Sequence, residues 1–91
     1  MLHSNKNINK EELKKYYMEH FQWGDVIIGT VYKLDRNGCS VIDDKSGKEV
    51  FYYGNNMIGD RVELKIIRID LEKVRITCDL SSVLEYADFV A

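Results

Sequence analysis

Gly24-Asp-Val-Ile-Ile-Gly-Thr-Val-Tyr-Lys-Leu34 and Gly59-Asp-Arg-Val-Glu-Leu-Lys-Ile-Ile-Arg-Ile-Asp70 share one build: a Gly-Asp pair directly before a run dense in β-branched residues. Such residues suit a pleated, half-buried surface, and Gly and Asp are turn formers, so each stretch reads as a turn opening a strand. A third run, Lys73-Val-Arg-Ile-Thr-Cys78, follows after Leu71-Glu72. Two shorter runs, residues 39–43 and 48–53, lie between and are joined by Asp44-Lys-Ser-Gly47. Five short strands with turn signals at this spacing predict a small antiparallel barrel. Gly29 interrupts the first strand, where a bend or bulge is expected. In the fourth, Val62, Leu64 and Ile66 alternate before the parity shifts to Ile67 and Ile69, which again predicts a bulge. The barrel interior is expected to hold Val31, Val41, Val50, Leu64, Ile66 and Ile76.

Outward from the barrel, Asn9 carries a helix-start signal, with Glu12 three residues on and Ile8 placed to staple Leu13. The helix predicted from Lys10 to Phe21 puts Leu13, Tyr17 and Phe21 on one face, which should pack on the barrel. Trp23 is expected as a packing anchor. Ser82 and Glu85 form a second capping box, predicting a tail helix from Ser82 to Val90. The expected organisation is an N-terminal tail and helix over residues 1–23, the barrel over 24–79, and a helical tail over 80–91. Either helix offers an apolar surface to a protein partner.

Composition limits the functional classes. The 91 residues suit one domain, and 45% hydrophobic content argues against disorder. Cys39 and Cys78 are too few for a disulfide framework and lack metal-ligand spacing, so buried free thiols are expected. A cytoplasmic setting is expected, since no signal-peptide segment or membrane-length apolar run appears. Net charge is −2, with 13 basic against 15 acidic residues. Residues 24–79 hold nine basic and ten acidic side chains, so any affinity for a polyanion must come from a local patch.

Catalysis finds little support. His3 and His20 lack a nearby nucleophile pattern, and Asp43-Asp44 reads as a pair of solvated turn formers. No phosphate-cradling glycine loop or metal constellation is present, so no cofactor is expected. A binding surface needs stacking faces and cations together. Phe51 and Tyr53 share one face of the third strand, Tyr32 and Lys33 lie on the first, Lys73 and Arg75 on the last, and Arg68 near the end of the fourth. One reading groups these around a shallow groove; the other makes the aromatics cross-strand packing pairs and the charges a solvated rim. Asp70 either orients Arg75 through a salt bridge or simply ends the fourth strand.

The order Gly24-Asp25, Gly29-Thr30-Val31, Gly38, Val50-Phe51, Gly59-Asp60, Asp70 and Arg75-Ile76 resembles the S-one type of RNA-binding domain, the OB-fold module repeated in ribosomal protein S-one. Asp70-Leu-Glu-Lys-Val-Arg-Ile-Thr77 and Gly47-Lys-Glu-Val50 are also similar to bacterial translation initiation factor one. The resemblance covers Gly24 to Asp79, 56 residues. It implies a five-stranded OB-fold barrel binding single-stranded RNA, alone or within a ribonucleoprotein or translation-related assembly. The chain departs from that pattern at Asn37 and Ser40, where family members carry aromatics, and at Phe51, where they carry histidine. The loop from Gly54 to Ile58 is short and lacks the helix of initiation factor one. These departures, with the near-neutral charge, suit the rival expectation of a protein-interaction or inhibitor module that keeps the barrel without binding nucleic acid.

Overall fold

A computed structural model describes residues 4–87, with side chains from residue 10 onward. The chain runs α1 (Ser4–His20), β1 (Val26–Leu34), β2 (Gly38–Asp43), β3 (Glu49–Tyr53), β4 (Arg61–Asp70) and β5 (Arg75–Glu85). The strands close into a barrel in the order β1-β2-β3-β5-β4. Four seams are antiparallel, and the β3–β5 seam is parallel, with Phe51 opposite Thr77 and Tyr52 opposite Cys78. The parallel seam is a necessity. Directions can alternate all the way round only when the number of strands is even.

The alternation read from the sequence is realised inside the barrel. Val31, Val41, Val50, Leu64, Ile66 and Ile76 are all buried, with Ile27, Cys39, Tyr52, Val62 and Cys78 beside them in the core. The two bulges separate in outcome. In β4 the register slips between Ile66 and Arg68, so Ile67 emerges at the surface while Ile69 returns to the core. In β1 the slip falls between Val31 and Lys33, at Tyr32 rather than Gly29. Gly29 has another role. A Cβ there would collide with the Ile42 carbonyl and lie 2.7 Å from the Val41 side chain, so only glycine lets β1 pass between its neighbours.

The Gly-Asp pair before β4 is a structural joint. Gly59 has φ of 99°, open to glycine at little cost, and Asp60 is buried. The Asp60 carboxylate accepts from the Ala87 N–H (2.6 Å), the Met57 N–H (3.0 Å) and the Asn56 amide (3.2 Å). Those bonds hold its carboxyl below the usual range, the Ala87 N–H contributing most. Asn56 in turn accepts from the buried Tyr52 hydroxyl at 2.6 Å.

Both ends depart from expectation. Helix α1 begins at Ser4, so Asn9 lies within it and does not cap it. Nothing between Ser4 and Asn9 stops a helix, because the segment contains neither Gly nor Pro. At the other end, Ser82 to Glu85 continue β5 instead of opening a helix, paired with Arg61 to Glu63 of β4. The long β4 needs a partner for its backbone groups, and that ladder outweighs a local capping signal. The remainder of the expected tail helix, residues 88–91, lies outside the described residues. Trp23 is 73% exposed and anchors nothing. Phe21, two residues earlier, takes the core position, and the Gly24 N–H then ties the chain to the Ile66 carbonyl at 2.7 Å.

Leu13, Tyr17 and Phe21 pack on the barrel as their spacing predicted, with Tyr17 only 2% exposed. Among the described residues no helix is long and apolar enough to cross a membrane.

Candidate nucleic-acid interface

A groove of about 770 Å³ lies between α1 and the barrel face made by β1, β2, β3 and the start of β5. Its floor follows from pairing. Lys33, Ser40, Phe51 and Thr77 stand opposite one another across β1, β2, β3 and β5, and Arg68 of β4 extends the row beyond Thr77. Ser40 and Gly38 are small, so Phe51 lies down across them. A Cβ on Gly38 would be 2.6 Å from the Phe51 ring. Phe51 is consequently only 5% exposed although it is on the outer face of β3.

Arg75 roofs that ring. Its guanidinium carbon sits 4.3 Å from the Phe51 centroid, a cation–π contact. Tyr53 meets Phe51 edge-on at 5.0 Å and is 66% exposed. Phe51 is therefore the base on which the exposed Arg75 side chain rests, and the ring itself is closed off from solvent. The turn before it is strained, with Val74, β-branched, at φ of 55°. This turn also carries Lys73. Asp70 accepts from the Lys73 N–H (3.0 Å) and the Glu72 N–H (3.1 Å), and these bonds lower its carboxyl pKa, Lys73 most. Its ion pair is with Arg68 at 3.5 Å, so Asp70 ends the strand and leaves Arg75 to Phe51.

Of the residues singled out from sequence, Lys33, Phe51, Lys73 and Arg75 line the groove together. Tyr32, Tyr53 and Arg68 lie outside its lining. Tyr32 is on the β1 bulge, half-exposed, its phenol pKa raised by burial and by the neighbouring Glu49 carboxylate. The sequence reading missed the opposite wall. Leu13, Tyr16 and Tyr17 of α1 line the groove, and the Lys48 ammonium sits 4.9 Å from the Tyr16 ring centre. Tyr16 also stacks on His20 at 4.2 Å. Nothing local in the sequence relates α1 to β3.

The groove is electrostatically mixed. Lys33, Lys48, Lys73 and Arg75 share it with Glu12, Asp35 and Glu49. Ion pairs among the described residues are Lys14–Glu11, Arg61–Asp44 and Arg68–Asp70, none of them in the groove. The Asp43-Asp44 pair proves to be two different things. Asp43 is buried and accepts from the Ser46 N–H (3.0 Å) and hydroxyl (2.6 Å), shaping the β2–β3 turn. Asp44 is exposed and takes a bidentate pair from Arg61 at 2.9 and 2.7 Å, which lowers its carboxyl pKa. Cys78 is buried, and burial pushes its thiol up to about 12, with Asp79 and Asp43 adding to the shift. Among the described residues there is no group of three metal-type ligands.

No family model matches the chain, and no curated protein matches it in sequence. Solved structures do. The intact alpha subunit of aIF2 from Pyrococcus abyssi aligns with 68% of the chain at 25% identity, with TM-score 0.58 and 29% of that protein covered. A chain of the a/eIF2alpha–aDim2p–rRNA complex from Pyrococcus horikoshii aligns with 65% at 25% identity, TM-score 0.55, covering 44% of that chain. Mycoplasma genitalium RNase R in complex with ribose methylated single-stranded RNA aligns with 87% at 16% identity, TM-score 0.70, covering 16% of it. The chain thus spans less than half the length of each. The parallel closure of β3 on β5, the bulged β1 and these neighbours agree on one architecture: the chain folds as an OB-fold barrel of the S-one type.

Proposed function

We propose that the groove binds single-stranded RNA, as a module of a larger ribonucleoprotein or translation-related assembly. The observation that carries this is the Arg75 guanidinium held over the Phe51 ring, in a groove open to solvent that Lys33 and Lys73 also line. Arginine planes stack on unpaired bases, and flanking lysines neutralise phosphates, which is what single strands require and duplexes do not offer. Support comes also from the neighbours, two of which are in structures that contain RNA. The reading is of a binding module.

The test is a titration of a short single-stranded RNA followed by fluorescence anisotropy at several salt concentrations. Each phosphate contact contributes about −0.7 to the slope of log affinity against log salt. Two to four contacts predict a slope of roughly −1.4 to −2.8. Arg75→Ala should weaken binding about tenfold and reduce the slope by about one contact. Arg75→Lys should restore the slope but little of the affinity, because an ammonium cannot stack as a plane. A protein-interaction module is the second reading, favoured by the exposed Trp23, Met18 and Val26 away from the groove. A slope near zero selects it.

A further inference from the structure

Seven charged side chains face one groove, and none makes an ion pair among the described residues. Opposite charges that share a confined surface without pairing are free to meet a ligand that offers both anionic groups and hydrogen-bond donors. A carboxylate is an acceptor only and repels phosphate. Along an RNA backbone the one donor open to Glu49 is a ribose 2′-OH, whereas the edge of a base can offer two donors side by side. Its position agrees. Glu49 precedes Phe51 by two residues on the same outward face of β3, about 7 Å along the strand. Glu49 and Arg75 line the same groove. The phenols of Tyr17 and Tyr32 lie close enough to Glu49 to feel its charge.

The bases differ in what they present. Guanine carries N1–H and N2–H side by side, two parallel donors that match the two oxygens of a carboxylate. Uracil presents a single N3–H between two carbonyl oxygens, which a carboxylate repels. Adenine and cytosine place one amino group beside an acceptor ring nitrogen. We propose that the groove prefers guanine, with the Glu49 carboxylate accepting both donors while the base stacks on Arg75 and Lys33 and Lys73 hold the flanking phosphates. The proposal rests on the RNA-binding reading and adds base selection to it.

The experiment compares pentauridylate, its central-guanosine variant and its central-inosine variant, each single-stranded, in anisotropy titrations with the full chain at low salt. Inosine keeps N1–H and lacks the 2-amino group. A bidentate pair discriminates by roughly ten- to a hundredfold, so the guanosine oligomer should bind at least about tenfold more tightly than pentauridylate, with inosine between them. Glu49→Gln should remove the guanosine preference while leaving pentauridylate binding unchanged or tighter. Glu19→Gln, exposed on α1 and outside the groove lining, should leave the preference intact. Circular dichroism melts verify that both variants fold, as expected for exposed positions. Equal affinity for all three oligomers overturns guanine selection while RNA binding stands. A guanosine preference that survives Glu49→Gln overturns Glu49 as its reader. Absence of binding to all three at millimolar protein overturns the RNA reading, and base selection with it.

Discussion

Gly29 and Asp60 carry structural duties that their neighbours cannot share. At Gly29, β1 pairs with Asp43 on one side and Val62 on the other, and a methyl group would strike the Ile42 carbonyl. Gly29→Ala should cost about 1–3 kcal/mol, the range for overpacking, read as a lower denaturation midpoint with unchanged slope. Asp60 joins the loop before β4 to the segment after β5. Its carboxyl pKa is depressed, so the stability it contributes is complete above the unfolded-state value near about 3.9 and is lost as pH falls through the folded-state value. The melting temperature should therefore fall steeply below about pH 4. Asp60→Asn should melt lower at neutral pH and flatten this acid limb, since an amide oxygen cannot serve all three donors as a carboxylate does. An acid limb unchanged in the variant would assign it to Asp44 and Asp70, whose carboxyls are likewise held low.

At the scale of elements, α1 and β5 are where local preference lost to context. Helix α1 has 17 residues but docks through the side chains of its final turns and Phe21 just beyond, which leaves the groove beside Tyr16. Tyr17 is the buried centre of that contact. Tyr17→Ala should destabilise by about 3 kcal/mol and also weaken RNA binding, because the wall carrying Tyr16 loses its anchor. A stable variant with unaltered affinity would remove α1 from the binding site. The docking face was legible in the spacing of Leu13, Tyr17 and Phe21 alone. The length of the helix was not, because an asparagine cap contributes only about 1 kcal/mol and yields to a continuing helix. The same weakness hid the outcome at Ser82, where backbone pairing with β4 supplies what a short helix cannot.

Across the whole molecule, closure is the feature on which everything depends. The β3–β5 seam is short, two paired positions, yet it brings Arg75 over Phe51 and the start of β5 into the groove. Ile76 is fully buried beside that seam. Ile76→Asp places a charge where no partner exists, a penalty of several kcal/mol against a total stability of about 5–15 kcal/mol. Loss of the folded far-UV spectrum and of dispersed amide resonances is the expected result. A folded Ile76→Asp chain would mean the barrel closes without its interior.

The period-two alternation, the two Gly-Asp joints and the turn at Asp44 to Gly47 were sufficient to specify five strands, six of the interior positions and one of the two bulges. These signals act between residues a few positions apart, where propensity and side-chain direction are determined by the chain itself. The candidate site was legible as a list of residue types but not as an arrangement. Whether Phe51 stood free or lay under Arg75 depended on the small residues Gly38 and Ser40 across the ladder and on a strand contributed from further along the chain. Tyr16 and Lys48 meet for the same kind of reason. Such contacts join positions eleven to thirty-two residues apart, and they exist only once the barrel has closed and α1 has docked against it. Tertiary structure alone decided them, because no local preference encodes which surfaces closure will bring face to face.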